Sequence, residues 1–507
     1  MRFVNANSRV LRRTLAAGFV GFVMTVVITV VDFSAQQTPP RAARPNIVVF
    51  LADDLGYGDL SVNGHPTIRT TNIDQMARDG MQLTSFYAAP VCTPARGMLL
   101  TSRYPPRTGL LVPTGPESPA GIRKDEVTLG QALKAQGYRT AMFGKWHLGD
   151  FDTDPAFNPT AHGFDVFMGL PYSHDYNPAA GVPLYRGLQK IEQPVAYQTL
   201  TQRYTEEAIR FIRSGPAGQP FFVYVAHNMP HIPIGTSDRF KGHSRAGRYG
   251  DVIEEVDWSV GEVLRTLKEV GVDRNTITVF MSDNGPWASV GEQLYDRHER
   301  GQKLRGDVGW AGLLRGSKGS TYEGGIRVPA IFHWPGTIPA GRVSADMVSI
   351  MDLFPTFVGF AGGKIAVDRP VDGVDISRFL RGTTPSPREE FFYFSSANLQ
   401  AVREGPWKLR IAPPEGGPNG QSAARGGGAA AAGVPASVAP AAAPQQRVEP
   451  VVELFNLDTD PSERFNVAAE HPDLVARLRA KMDTFSGSLK ARSRPASTFI
   501  EKVSRID

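Results

Sequence analysis

The chain has 507 residues, 41% of them hydrophobic, and a formal net charge of +5, enough material for one large core and a smaller appended unit. Setting aside the four arginines and one aspartate of the first 35 residues leaves about +2, which is not a nucleic-acid-binding charge, so nucleic acid partners are not expected. One cysteine, Cys92, excludes an internal disulfide.

Residues 1–35 place Arg2, Arg9, Arg12 and Arg13 before an apolar run from Leu15 to Val31, with small Ala35 just beyond. This reads as a secretory signal peptide, followed by a linker over 36–44. The run is just long enough to span a bilayer, so an uncleaved membrane anchor is the second reading. Arg12-Arg13 is also compatible with twin-arginine export. Either way the globular part lies outside the cytoplasm, periplasmic or secreted, and it touches a membrane only if the segment is retained.

From 45 to 385, apolar strand-like runs end in polar clusters: NIVVFLADD (46–54), YRTAMFGKWH (138–147), PFFVYVAHNMPH (220–231) and TITVFMSDNG (276–285). Amphipathic helical stretches such as TLGQALKAQG and LTQRYTEEAIRFIRS lie between them. Near-continuous apolar strands alternating with helices predict an α/β fold, a large mostly parallel sheet sandwiched by helices. Ligands gather beyond the carboxyl ends of such strands. From 386 to 507 the texture changes to EEFFYFSS, LQAVREGPWKLRIA and VVELFNLDTD, then a helix near 470–487. That predicts a smaller C-terminal α+β domain on an antiparallel sheet. A Gly/Ala/Pro-rich stretch, 413–447, between its second and third strands has little to bury and reads as a disordered insertion.

Asp53-Asp54 and Asp283-Asn284 stand at two matching strand ends. Three carboxylates and an amide oxygen make a hard oxygen site, suited to Ca²⁺ or Mg²⁺ rather than zinc. Cys92 precedes a helix for which Thr93 suits the N-cap and Pro94 the first helical position. Residue 92 then sits in the positive field of the helix N-terminus, with Arg96 four residues on. A buried structural thiol is the alternative for Cys92, and hydrogen-bonded structural histidines are the alternative for His147 and His231. His227, on the same strand exit four residues before the H-x-P of His231, is a weaker candidate, His174 stands as a candidate with Ser173 in PYSHD, and Tyr322 and Glu323 of STYEGGIRVP read as architectural.

Cys92-Thr93-Pro94-Ala95-Arg96 resembles the C-x-P-x-R signature of type I sulfatases, in the alkaline phosphatase superfamily. PNIVVFLADDLGYGDL, GYRTAMFGKWHLG, GLPYSHD, HNMPHIP, MSDNGP and LLRGSKGSTYEGGIRVPAIFHWPG also resemble that family, in its order, from about 45 to 485. The resemblance implies hydrolysis of sulfate monoesters, arylsulfatase-like, with Cys92 oxidised by a separate formylglycine-generating enzyme to Cα-formylglycine. It implies a metal, usually Ca²⁺ with Mg²⁺ as alternative, on Asp53, Asp54, Asp283, Asn284 and residue 92. Arg96 and Lys145 would steady formylglycine and sulfate, and His147 would assist breakdown of the sulfated intermediate. His231 and Lys318 would hold sulfate and protonate the leaving oxygen, and Ser173 would bind sulfate or substrate. One hydroxyl of the hydrated aldehyde attacks sulfur, and the other later loses its proton, re-forms the carbonyl and expels sulfate. The substrate expected is a sulfated small molecule or carbohydrate. A phosphonate or phosphate monoester hydrolase of the same superfamily, and an unmatured non-catalytic binding protein, are the competing functions.

Overall fold

The computed structural model describes residues 44–176, 179–287, 308–365, 371–413, 449–490 and 497–498. The expected signal segment, and the expected insertion apart from Pro413, lie outside them. No helix among the described residues is long and apolar enough to cross a membrane.

In chain order the strands are β1 (Asn46–Ala52), β2 (Met81–Tyr87), β3 (Ala120–Gly121), β4 (Arg139–Lys145), β5 (Val166–Leu170), β6 (Leu184–Arg186), β7 (Gln189–Glu192), β8 (Phe221–Ala226), β9 (Thr276–Ser282), β10 (Arg327–His333), β11 (Arg342–Ser344) and β12 (Val348–Ser349). All except β3 form one sheet in the order β11-β2-β10-β9-β1-β8-β4-β5-β6-β7, with β12 beside β2. The central strands β9-β1-β8-β4-β5 are parallel. β10 is antiparallel to both its neighbours, and β6 and β7 are an antiparallel edge.

β1 shows why these strands read as unbroken apolar runs. Ile47, Val49 and Leu51 enter one buried cluster, while Val48, Phe50 and Ala52 enter another on the opposite face, as the two-residue period of a strand requires. Helices α1 (Thr71–Arg78), α2 (Cys92–Thr101), α3 (Pro105–Thr108), α4 (Leu129–Ala135), α5 (Leu200–Arg213), α6 (Gly247–Glu269), α7 (Glu323–Ile326), α8 (Leu353–Phe360), α9 (Ser377–Leu380) and α10 (Pro472–Lys490) complete the fold. Met98 of α2, Leu133 of α4 and Phe357 of α8 cover the first face. Ile73 of α1, Tyr204 of α5 and Val256 of α6 cover the second.

A second sheet holds β13 (Glu390–Ser395), β14 (Asn398–Glu404), β15 (Trp407–Ala412) and β16 (Val451–Asn456), all antiparallel in that order. LQAVREGPWKLRIA, expected as one strand, is β14 and β15 turned at Gly405-Pro406, with Gly405 at φ 53°. The stretch expected between the second and third strands therefore follows the third. α10 packs Leu478 and Met482 into the core that the two sheets share, and Phe485 stacks on Phe392 with centroids 3.9 Å apart.

Candidate active site

Register brings the two acidic pairs together. β1 and β9 are parallel neighbours with Ala52 opposite Ser282, so Asp53 and Asp283 leave the sheet side by side. The Asp283 N–H donates to the Ala52 carbonyl at 3.2 Å, and the Asp54 N–H donates to Asp283 Oδ1 at 3.1 Å. Asp54 is held at φ 67°, a left-handed backbone that a non-glycine residue adopts at a cost. β4, two strands away across β8, delivers Lys145 to the same edge. β10 runs the other way, so the loop before it, carrying Lys318, arrives at the carboxyl end of β9. The Lys318 N–H donates to the Pro286 carbonyl at 3.0 Å and fixes that loop on the segment following Asp283-Asn284.

Cys92 occupies the first turn of α2, but the helix begins earlier than the sequence suggested. Val91, not Thr93, is the N-cap, with φ −147° and ψ 160°, and its carbonyl accepts the first helical bond from Ala95. Pro94 therefore sits at the third helical position rather than the first, where a missing N–H still costs no helical bond. Thr93 is freed from capping, and its hydroxyl donates to the His147 carbonyl at 2.7 Å.

The buried Cys92 sulfur lies 3.3 Å from Asp53 Oδ1, 3.8 Å from Asp54 Oδ1 and 3.4 Å from Lys318 Nζ. Arg96 donates twice to Asp283 Oδ2, at 2.9 and 3.2 Å, and once to the Lys145 carbonyl at 2.7 Å. Its guanidinium is also 3.3 Å from Asp53. Lys145 Nζ is 2.6 Å from Asp53 Oδ2, both fully buried, and Lys318 Nζ is 2.8 Å from Asp54. His231 Nε2 is 3.5 Å from Asp54 Oδ2.

Burial by itself would raise Asp53, but the Lys145 ammonium and then Arg96 hold it well below the usual carboxylate range. Burial and the neighbouring Asp53 push Asp283 up to about 7, which is the repulsion expected when carboxylates crowd. Burial, then the Asp53 charge, pushes the Cys92 thiol well up, so as a thiol it is not an activated nucleophile. His147 is driven well down by burial and Lys145, and His231 is lowered by burial and Lys318, so both are neutral imidazoles near neutral pH.

A divalent cation fits this donor set. Asp53, Asp54, Asp283 and Cys92 each offer an atom within 4.8 Å of the others. Asn284 Nδ2 is spent on Asp54 Oδ1 and the Gly285 carbonyl, which leaves the buried Oδ1 without a donor. Such an oxygen beside three carboxylates is suited to a hard cation. Three carboxylates balance the charges of Arg96, Lys145 and Lys318, so a dication would make the site net positive, as an anionic ester needs.

The remaining expected residues stand one step further out. His147 has φ 60°, and its backbone is clamped by Thr93 and by its own N–H on the Pro171 carbonyl at 3.0 Å. Both buried ring nitrogens lack a protein partner, which leaves them available to a ligand. Ser173 is buried, and its hydroxyl has no hydrogen-bond partner in the protein, which leaves it open to a ligand. His174 Nε2 donates to the Pro233 carbonyl at 2.9 Å while Nδ1 meets Asn228 Nδ2, so His174 is committed to the frame. His227 turns its Nε2 to Ser259 of α6 at 3.3 Å, away from the cluster. Tyr322 and Glu323 bond residues of the second sheet, in line with an architectural role.

Two neighbours escaped sequence reasoning. Asp175 stands beside Ser173 and His231, and its carboxyl lies below its usual range despite burial, His231 being the largest lowering influence. It stood in plain view in PYSHD, but a lone Asp after a His reads as a turn. Trp287 packs on His231, ring centroids 5.6 Å apart, and lies under the Lys318 ammonium at 4.8 Å; nothing in its local sequence sets it apart.

A mixed α/β sheet with carboxylates, cations and a helix-borne residue 92 gathered at one edge is the arrangement of a hydrolase for anionic esters. The family model described as Sulfatase matches residues 45–363, and that described as the C-terminal region of aryl-sulfatase matches 386–504. Bovine (Bos taurus) arylsulfatase A is 38% identical over 73% of this chain and 75% of its own. Mouse (Mus musculus) N-acetylgalactosamine-6-sulfatase is 40% identical over 72% of each. The crystal structure of the PsFucS1 sulfatase from Pseudoalteromonas sp. superimposes with a TM-score of 0.72 at 27% identity, covering 88% of this chain and 91% of that one. The chain belongs to the sulfatase family, with its alkaline phosphatase-like fold, and is a sulfuric ester hydrolase.

Proposed function

We propose that this chain cleaves sulfate monoesters of small aryl or sugar alcohols through a Cα-formylglycine made from Cys92 by a formylglycine-generating enzyme. The observation that carries the reading is the position of Cys92: buried at the head of α2, touching Asp53, Asp54 and Lys318 at 3.3 to 3.8 Å. A thiol held protonated there has no use as a nucleophile, whereas a hydrated aldehyde supplies one hydroxyl to attack sulfur and a second whose deprotonation expels sulfate. The reaction consumes R-O-SO₃⁻ and water and yields R-OH and sulfate.

Asp53, Asp54, Asp283 and Asn284 would hold a divalent cation, a hard one such as Ca²⁺ or Mg²⁺ by the oxygen donors and Ca²⁺ by the likeness to sulfatases, which would supply positive charge beside the sulfate. Lys145 and Arg96 keep Asp53 ionised, and the Arg96 fork fixes the direction of Asp283. Lys318, whose ammonium reaches the space beside residue 92, holds a sulfate oxygen and supplies a proton to the leaving alcohol, and His231, 3.5 Å from Asp54, shares in that delivery in its protonated, imidazolium form. His147, neutral and with both ring nitrogens free, takes the proton from the remaining hydroxyl of residue 92. Ser173, buried with its hydroxyl unpartnered in the protein, binds a sulfate oxygen. The names of the curated relatives, one for an aryl sulfate and one for a sugar 6-sulfate, support this breadth of alcohols. The basic, apolar N-terminal 35 residues support export to the periplasm or medium.

Co-expression with a formylglycine-generating enzyme and mass spectrometry of the residue-92 peptide tests the reading. An aldehyde in place of the thiol, with near-complete loss of aryl sulfate turnover in Cys92→Ala, is the expected result. An unmodified thiol, or full activity in Cys92→Ala, overturns it. Chelation should abolish turnover, and Ca²⁺ should restore it better than Mg²⁺.

A further inference from the structure

The Lys318 ammonium has three N–H donors and no acceptor. One partner is Asp54, at 2.8 Å, and a second is the Cys92 sulfur, at 3.4 Å. The remaining side of the ammonium faces the Trp287 indole, with Nζ 4.8 Å from the ring centroid, well inside the range of a cation–π contact. The same indole packs against His231 at 5.6 Å and 53°. Its backbone is tied in as well, because Pro286 accepts the Lys318 N–H and the Trp287 carbonyl accepts the Gly309 N–H at 3.3 Å. One side chain thus touches both groups assigned to the leaving oxygen, and neither of them touches the other except through Asp54.

We infer that Trp287 is a positioning residue for leaving-group protonation, a π-face that aims the Lys318 ammonium and braces the His231 ring. This rests on the roles proposed above for Lys318 and His231. A π-face suits the task because it attracts the ammonium without accepting a strong hydrogen bond. A second carboxylate on the ammonium would trap the proton and compete with sulfate, and water would let the side chain wander. The indole keeps the ammonium in place while leaving its charge for the ester oxygen.

Proton delivery matters in proportion to how poor the leaving group is, so the test is the dependence of kcat/KM on leaving-phenol acidity. The matured, metal-loaded enzyme is assayed with 4-nitrophenyl, 4-methylumbelliferyl and unsubstituted phenyl sulfates, comparing wild type, Trp287→Leu, Trp287→Phe, Lys318→Ala and His231→Ala. Trp287→Leu should lose about 10- to 100-fold on phenyl sulfate and less than about 3-fold on 4-nitrophenyl sulfate, less than the roughly 100- to 10,000-fold that a whole acid group supplies, because the acid itself remains. Trp287→Phe, which keeps a π-face, should restore most of the phenyl sulfate rate. A merely structural defect lowers all three substrates together and leaves the slope unchanged. If Lys318→Ala and His231→Ala steepen the slope while Trp287→Leu does not, the inference on Trp287 is wrong. If neither Lys318→Ala nor His231→Ala steepens it, the acid roles themselves are wrong and the inference falls with them.

Discussion

Arg96 shows how one buried side chain can tie a charge cluster together. Its fork reaches Asp283 twice, the Lys145 carbonyl once and Asp53 at 3.3 Å, all at full burial. Lysine keeps the charge but has neither the fork nor the reach to serve three partners at once. Arg96→Lys should lower kcat/KM on aryl sulfates by at least about 100-fold, the scale on which misaligned charge stabilisation is felt. It should also lose roughly 2 kcal/mol of stability, because charged partners lose hydrogen bonds in a dry interior. Thermal unfolding beside kinetics checks both; wild-type kinetics with a lowered melting point would reduce Arg96 to packing. Residues such as Arg96 were legible because the C-x-P-x-R spacing puts 92 and 96 on one helix face. Trp287 and Asp175 were not, since their meaning comes only from what lies across the pocket.

At the scale of elements, strand ends were readable because a buried parallel strand is an apolar run that stops at its first charges, as NIVVFLADD stops at Asp53. The direction of β10 was not, because VPAIFH reads the same whichever way it runs. That direction decides which edge the Lys318 loop reaches. The hairpin of β14 and β15 was missed because the two-residue turn Gly405-Pro406 interrupts the run too briefly. A sharper constraint lies at Gly144, the residue before Lys145, with φ 126° in β4. A Cβ there would meet the Ala226 carbonyl oxygen of β8 at 1.8 Å, and backbone cannot move aside as a side chain can. Gly144→Ala should therefore force β4 and β8 apart and displace the Lys145 ammonium from Asp53. A loss of several kcal/mol, seen as a lower melting point together with lost activity, is expected. Unchanged unfolding would show that the two strands have slack at this point.

At the scale of the whole molecule, a buried charge cluster joins the two sheets. Lys408 of β15 lies 2.9 Å from Glu323 at the start of α7 and 2.7 Å from Glu463, and Glu463 also accepts the Glu323 N–H at 2.7 Å. Burial alone would raise Glu323, yet Lys408, then Arg327 and Arg403, bring it down to about 2. For Glu463 burial prevails over Lys408, and the charge of Glu323 adds to it, raising the group to about 7. The two shifts act on stability with opposite signs. Glu323, lowered from its ordinary 4.5, stabilises the fold above that pH, and the gain fades as pH falls toward 2. Glu463 keeps its proton in the folded chain while the unfolded chain has already released it. Between about 4.5 and 7 the folded state thus binds more protons, and stability falls as pH rises through that window. Glutamine at 463 can still accept the Glu323 N–H but has no proton to lose. Glu463→Gln should therefore flatten the decline in melting temperature between pH 5 and 7 and leave the loss of stability in acid, which belongs to Glu323, in place. Lys408→Met should do the reverse of a neutral change, stranding an ionised Glu323 between the sheets at a cost of about 3 to 5 kcal/mol. If the melting curves of Glu463→Gln and wild type keep the same slope from pH 5 to 7, Glu463 is ionised in the folded chain, and the joint between the sheets carries one more negative charge than this account gives it.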